Sequence, residues 1–189
     1  MITRIKGPWQ IEATVPRYQN AWLELNEDQV IGPDGKPAAF ATVRMKPGVS
    51  VLAIDDLDQV YLTSEYRYAV ERESIEVVSG GIDGDELPLV AARRELREEL
   101  GIEATEWINL GQVDPFTSAI HSPASLFLAR KLTMCEAEPE ATELIKVLKV
   151  DLSEAVRMVL ESEIRHGPSC VLILKTHFFV TGETKAGSR

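Results

Sequence analysis

The sequence predicts a mixed α/β fold, and three observations carry that expectation. Up to Ser64, short segments of apolar–polar alternation are separated by turn signals, as half-buried strands require. A helical stripe of Leu89, Ala92, Leu96 and Leu100 then follows a strand and the Gly80-Gly81 pair. Beyond it, further strand-like segments precede helix-like ones.

Trp9 to Thr14 and Ala21 to Leu25 alternate like half-buried strands, and Ala38 to Met45 reads as another. Gly32-Pro33-Asp34-Gly35 and Lys46-Pro47-Gly48 are the turns between them and the next segment. Val49 to Ile54 and Val60 to Ser64 flank Asp55-Asp56-Leu57-Asp58, the pattern of a hairpin. Ser74 to Val78 is a strand leading into Gly80 and Gly81, which allow unusual dihedrals and a tight backbone approach before the helix. Thr105 to Gln112, Ser125 to Lys131 and Leu144 to Val150 continue the strand series. Asp151 with Glu154 forms a capping-box-like pair opening a helix towards Ile164, which His166-Gly167-Pro168 ends. Ser169 can cap a last segment from Cys170 to Val180, whose apolar run fits a helix or a buried strand by periodicity. Thr181 to Arg189 is polar and expected to fray.

At 189 residues and 44% hydrophobic content, the chain can build one substantial core, and residues 1–189 are expected to form a single domain. No apolar run approaches the roughly 20 residues of a membrane span, and the N-terminus has no signal-like apolar core, so a cytoplasmic location is expected. The two cysteines, Cys135 and Cys170, make neither a disulfide scaffold nor a zinc set. A net charge of −10 argues against generic binding to nucleic acid or anionic membrane. An anionic ligand would therefore need local positive charge from a metal and a few arginines.

The chemistry concentrates between Gly80 and Ile102, GGIDGDELPLVAARRELREELGI. At about 100° per residue, Glu95, Glu98 and Glu99 fall within one quadrant of the helix, apart from the apolar stripe. Like charges at i,i+3 and i,i+4 repel, and a multivalent cation converts that cost into binding. Hard oxygen donors favour magnesium, manganese or calcium over zinc, and magnesium commonly shares its shell with substrate phosphates.

The spacing of Gly80, Glu86, Arg94, Glu95, Leu96, Glu98, Glu99, Gly101 and Ile102 resembles the Nudix box, G-x5-E-x7-R-E-U-x-E-E-x-G-U, at every defined position. The run Ser64 to Val70 followed by Ser74 to Asp83 is similar to the approach to that box in ADP-ribose pyrophosphatases. The resemblance implies an α/β/α sandwich around a mixed sheet, with a helix at the C-terminal apolar run. It implies N-terminal strands, residues 1–48, that pack across a homodimer. It further implies hydrolysis of a nucleoside diphosphate sugar, ADP-ribose first, with Mg2+ (or Mn2+) as cofactor. Glu95, Glu98 and Glu99 match metal ligands, as does Ser79 through its backbone carbonyl. Glu95 and Glu98 would be catalytic together with Arg94, which orients carboxylates while Glu86 ties down the loop. Arg67 matches an arginine that touches the diphosphate, and Glu76 matches the glutamate of the E-x-x-A-G approach. The alternatives are a Nudix enzyme for a nucleoside triphosphate or dinucleoside polyphosphate, or a nucleotide sensor without turnover.

The chain departs from that branch after the box. Ser118-Ala119-Ile120 stands where Ser-Pro-Gly is usual, and no Asp or Glu lies between Pro115 and Met134. A proton acceptor must then come from elsewhere. Glu95 is the first candidate and His121, a residue type that titrates near neutrality, is its rival and a candidate substrate contact. His166 and His177 have no metal-ligand partner at useful spacing and are expected to be structural. Glu138, Glu140 and Glu143 read as solvated loop acids.

Overall fold

A computed structural model describes residues 4–138 and 144–182. Glu140, Glu143 and most of the polar C-terminal tail thus lie outside the described residues. The chain divides into two compact units, one of Met1–Pro47 with Asp114–Pro123, the other of Gly48–Val113 with Ala124–Arg189.

The first unit is a sheet in the order β1-β2-β3-β4-β10. Its strands are β1 (Arg4–Lys6), β2 (Trp9–Gln19), β3 (Leu23–Ile31), β4 (Pro37–Met45) and β10 (Ile120–His121). β1 to β4 pair antiparallel, and β10 joins β4 in parallel, with His121 opposite Arg44. β2 and β3 are both longer than their alternation suggests, and β1 and β10 are edge pieces too short to show a pattern.

The second unit holds β5 (Gly48–Ile54), β6 (Gln59–Arg67), β7 (Arg72–Glu76), β8 (Val78–Gly81), α1 (Pro88–Leu100), β9 (Ile102–Val113), β11 (Ala124–Met134), β12 (Lys146–Asp151), α2 (Leu152–Leu160) and α3 (Gly167–Thr181). Its sheet runs β12-β6-β5-β11-β9, with β7 on β6 and β8 on β5. It is mixed, because β5 and β11 are parallel while their other pairings are antiparallel.

Alternation along the central strands builds two cores. Val49, Val51 and Ala53 of β5, with Phe127 and Ala129 of β11, pack with Ala91, Ala92, Leu96 and Leu100 of α1. The intervening Leu52, Ile54, Leu126 and Leu128 pack with Leu152, Ala155 and Met158 of α2 and Leu172 and Ile173 of α3. Successive strand side chains point to opposite faces, so these clusters make the unit an α/β/α sandwich. A strand buried on both faces reads as a continuous apolar run, which is how β5 appears in the sequence.

Several local expectations are corrected. The segment Ser74 to Val78 is two strands, broken at Val77, whose N–H donates to Ser169 Oγ at 3.0 Å rather than to a neighbouring strand. Gly80 and Gly81 form no turn: they are paired strand residues, and neither has a positive φ. Asp151 precedes α2 but makes no side-chain cap; its carboxylate accepts from Gln59 Nε2 at 3.4 Å, and Glu154 pairs with Arg157 at 2.6 and 2.8 Å. Pro168 starts α3 early, so His166 is its N-cap residue and Ser169 lies inside the helix.

Candidate active site

The site grows from α1 and the strand end before it. Pro88 occupies the first turn of α1, and Gly101 ends it at φ 59°, its N–H bonded to the Arg97 carbonyl. A Cβ on Gly101 would also come within 2.6 Å of the Cys135 carbonyl oxygen. Between these ends, Leu96 and Leu100 are buried and fix the helix rotation. That rotation turns Glu95 towards β8, where a Cβ on Gly80 would overlap its carboxyl group.

Arg94 organises the acids. Its Nη1 donates to Glu95 at 2.7 Å and to Glu98 at 3.1 Å. Nη2 donates to Glu86 at 3.1 Å and to the Gly81 carbonyl at 2.9 Å, while Nε reaches Glu86 at 3.3 Å. Bonding to Glu86, then to Glu95 and Glu98, raises the Arg94 pKa far above its ordinary value against the cost of burial. Glu86 also accepts from the Asp83 N–H, and the Arg94 bond holds its carboxyl below the usual range.

Glu99 is 8% exposed. Burial by itself would lower the Arg67 pKa, but the Glu76 fork, with Glu65 and Glu99 adding their charge, raises it. Arg67 donates from Nε and Nη2 to Glu76 at 3.2 and 2.9 Å and meets Glu65 at 2.7 Å. Glu76 is 5% exposed; burial would raise its pKa, but the Arg67 bond, the charges of His166 and Arg67 and a bond from Ser74 together lower it. The hydroxyl of Ser79 lies 3.0 Å from that of Ser50 and donates to the Val77 carbonyl.

The structure thus joins Arg94, Glu95 and Glu98 directly, pairs Arg67 with Glu76, and brings Glu99 close enough for its charge to act on Arg67. His121 belongs to the first unit, where it borders a cavity of about 750 Å³ with Trp9, Asp28, Phe40 and Arg44. Among the described residues, no three His, Cys, Asp or Glu side chains converge on a metal-sized space, since Arg94 lies between Glu95 and Glu98. The donors still suit a hard divalent cation: carboxylates share one helix face, and the Gly80 recess holds one of them against the strand. Sequence reasoning missed the polar partner of Glu76 on the α3 side, His166, and Ser169 behind it. No local signal connects residues ninety positions apart.

The NUDIX domain matches residues 44–165, well over half of the chain. The chain belongs to the Nudix family. Its relatives include the ADP-ribose pyrophosphatase of Mycobacterium tuberculosis (strain ATCC 25618 / H37Rv), 29% identical over 87% of this chain and 81% of that one. The ADP-ribose pyrophosphatase of Bacillus subtilis (strain 168) is 27% identical over 75% of this chain and 78% of that one. A methanol dehydrogenase activator of Bacillus methanolicus is 28% identical over 80% and 83%. A solved structure described as an ADP compounds hydrolase superposes with a TM-score of 0.81 at 18% identity, over 97% of this chain and all of that one, which establishes the shared fold. The protein is thus a Nudix hydrolase most like the ADP-ribose pyrophosphatase branch. Among the described residues, no helix is long and apolar enough to cross a membrane.

Proposed function

We propose that this Nudix hydrolase cleaves the phosphoanhydride of a nucleoside diphosphate sugar, with ADP-ribose the first substrate. The observation that carries the reading is the carboxylate face of α1, gathered by Arg94 and packed on Gly80, in a chain whose relatives include two ADP-ribose pyrophosphatases. Water attacks one phosphorus, the bridging P–O bond breaks, and a nucleoside monophosphate and a sugar phosphate leave.

Glu95, Glu98 and Glu99, with the Ser79 carbonyl, would hold Mg2+ or Mn2+; a bound divalent cation supplies charge that neutralises the diphosphate oxygens. Arg94 orients Glu95 and Glu98 through its Nη1 donor. Arg67, its side chain 40% exposed, has five N–H donors. The Glu76 fork takes two of them and Glu65 a third, leaving two to grip a phosphate. Glu95 takes the proton of the attacking water, and His121 contributes on the substrate side.

Residues 1–189 act as one catalytic domain and the chain works as a homodimer. Ile5, Tyr18, Trp22, Phe40 and Met45 of the first unit expose between 38% and 65% of their surface, apolar area suited to a second copy. A monomeric mass by light scattering across a concentration series would exclude that assembly. The activity is tested by assaying phosphate-monoester release from ADP-ribose, other nucleoside diphosphate sugars, dinucleoside polyphosphates and nucleoside triphosphates with magnesium. Turnover favouring ADP-ribose supports the reading, and turnover confined to triphosphates or absent throughout rejects it.

A further inference from the structure

The side of Glu76 turned towards α3 is built from two polar side chains that the proposed chemistry does not use. Glu76 Oε2, which accepts from Arg67 Nη2 at 2.9 Å, also lies 3.5 Å from His166 Nδ1. The same ring nitrogen is 2.8 Å from Ser169 Oγ. Ser169 is fully buried, and its hydroxyl oxygen accepts the Val77 N–H at 3.0 Å. One continuous polar path therefore runs from the Arg67 guanidinium through Glu76 and His166 to Ser169, and back to the backbone between β7 and β8.

The helix gives up something for this arrangement. The N-cap position of α3 is where a Ser, Thr, Asp or Asn side chain would satisfy the first free amides. It is occupied instead by His166, which makes no side-chain cap, while its carbonyl accepts the Cys170 N–H at 3.0 Å. A serine is available three residues later and also faces away from the helix start. Both side chains are thus committed to the Glu76 side, and a local rule is broken where a site gains by it. Burial lowers the His166 pKa despite the neighbouring Glu76 charge. With its proton on Nδ1, the ring presents a single N–H between Ser169 Oγ at 2.8 Å and Glu76 Oε2 at 3.5 Å.

We infer that His166, braced by Ser169, is a positioning residue for Arg67: it fixes the Glu76 carboxylate from the α3 side and so sets the guanidinium that grips the substrate diphosphate. This rests on the reading of Arg67 as the diphosphate contact. An arginine shared between two carboxylates, Glu76 and Glu65, has more than one low-energy orientation unless one carboxylate is immobile. Ser74 bonds Glu76 from its own strand and His166 adds the restraint from the α3 side, so the effect is on binding rather than on the bond-breaking step.

The test is steady-state kinetics with ADP-ribose and magnesium on the full chain, with ADP binding measured by calorimetry. His166→Leu keeps bulk but loses the polar ring atoms, and should raise KM and the ADP Kd about tenfold with kcat within about threefold, the signature of lost uniform binding. His166→Asn, whose amide places a polar atom near the Nδ1 position, should restore both constants to within about threefold of wild type. Combined with Arg67→Ala, His166→Leu should add less than about twofold, because the two act through one interaction. Should His166→Leu not fold, His166→Gln, whose amide reaches the other ring nitrogen's position, should show the binding loss that His166→Asn avoids. An unchanged KM and Kd in His166→Leu or His166→Gln, a loss in kcat alone, or full additivity with Arg67→Ala overturns the inference. An Arg67→Ala variant with unchanged KM and ADP binding overturns the reading of Arg67 beneath it.

Discussion

The carboxyl group of Glu95 fills the space where a Cβ on Gly80 would stand. Gly80 is a paired strand residue without positive φ, so alanine suits its backbone and conflicts only with that carboxyl. The end of a flexible side chain can move aside at little cost. Gly80→Ala should therefore change unfolding free energy by less than about 1 kcal/mol yet lower kcat/KM by about a hundredfold or more. Gly101→Ala should do the opposite. There φ is 59° and a Cβ meets the Cys135 carbonyl oxygen and the Ala137 nitrogen, so about 1–2 kcal/mol of backbone strain adds to a clash that cannot swing away. Thermal melts beside kinetics on both variants check the contrast, and equal melting losses would refute it.

Glu98 and Glu99 lie on the same helix as Glu95 but in different surroundings, one bonded to Arg94 and the other nearly buried. Glu98→Gln and Glu99→Gln should each cripple turnover and leave the fold intact, since the amide keeps the shape and removes an anionic donor. Relief of like-charge repulsion should leave Glu98→Gln no less stable than wild type. Titrating activity against magnesium is the measurement. A correctly folded variant with near-wild-type rate at low magnesium would show that its glutamate is not a ligand.

The parts of this molecule legible in its sequence are those decided locally. The double-sided burial of β5 is written in GVSVLAI, and α1 is bracketed by Pro88 and Gly101, residues whose backbone preferences match those positions. Local signals failed where a competing side chain, one turn away or far along the chain, took the hydrogen bond. Glu154 left the α2 cap for Arg157, and the Val77 amide left the strand ladder for Ser169. The path from Arg67 to His166 was invisible for the same reason, because nothing within a few residues of His166 or Glu76 announces the other. Gly80 was readable as necessary, but its reason, room for Glu95, is a tertiary fact.

Acid should weaken the fold in two steps of known sign. His166 and Glu76 both have lowered pKa values in the native protein, His166 through burial and Glu76 because Arg67, His166 and Ser74 together outweigh burial. With a folded pKa below the unfolded one, the unfolded chain binds more protons, so stability rises with pH. The contribution of each group is complete above its unfolded value, about 6.5 for histidine and about 4.3 for glutamate, and is lost as pH falls through the lowered folded value. Denaturant unfolding from pH 8 down to about pH 2 should show a first decline below about 6.5 that His166→Leu removes and a second, lower one that it retains. A His166→Leu profile parallel to wild type throughout would contradict this assignment.

The last prediction concerns the proton acceptor. The segment from Pro115 to Met134 has no Asp or Glu, so the candidates are Glu95 and His121. Glu95 lies on the helix face that carries Glu98, and Arg94 donates to it at 2.7 Å and so fixes its direction. Packing on Gly80 restricts its motion, and a positioned base contributes more than a mobile one. His121 is exposed in a two-residue strand of the first unit, where it lines a cavity with Arg44 and Trp9. That setting suits contact with a substrate better than a fixed proton transfer. His121→Ala should therefore raise KM with kcat within about threefold. Glu95→Gln should lower kcat by about a hundredfold or more, the range a general base supplies. A His121→Ala variant that binds ADP normally yet loses a hundredfold in kcat would transfer the role to His121.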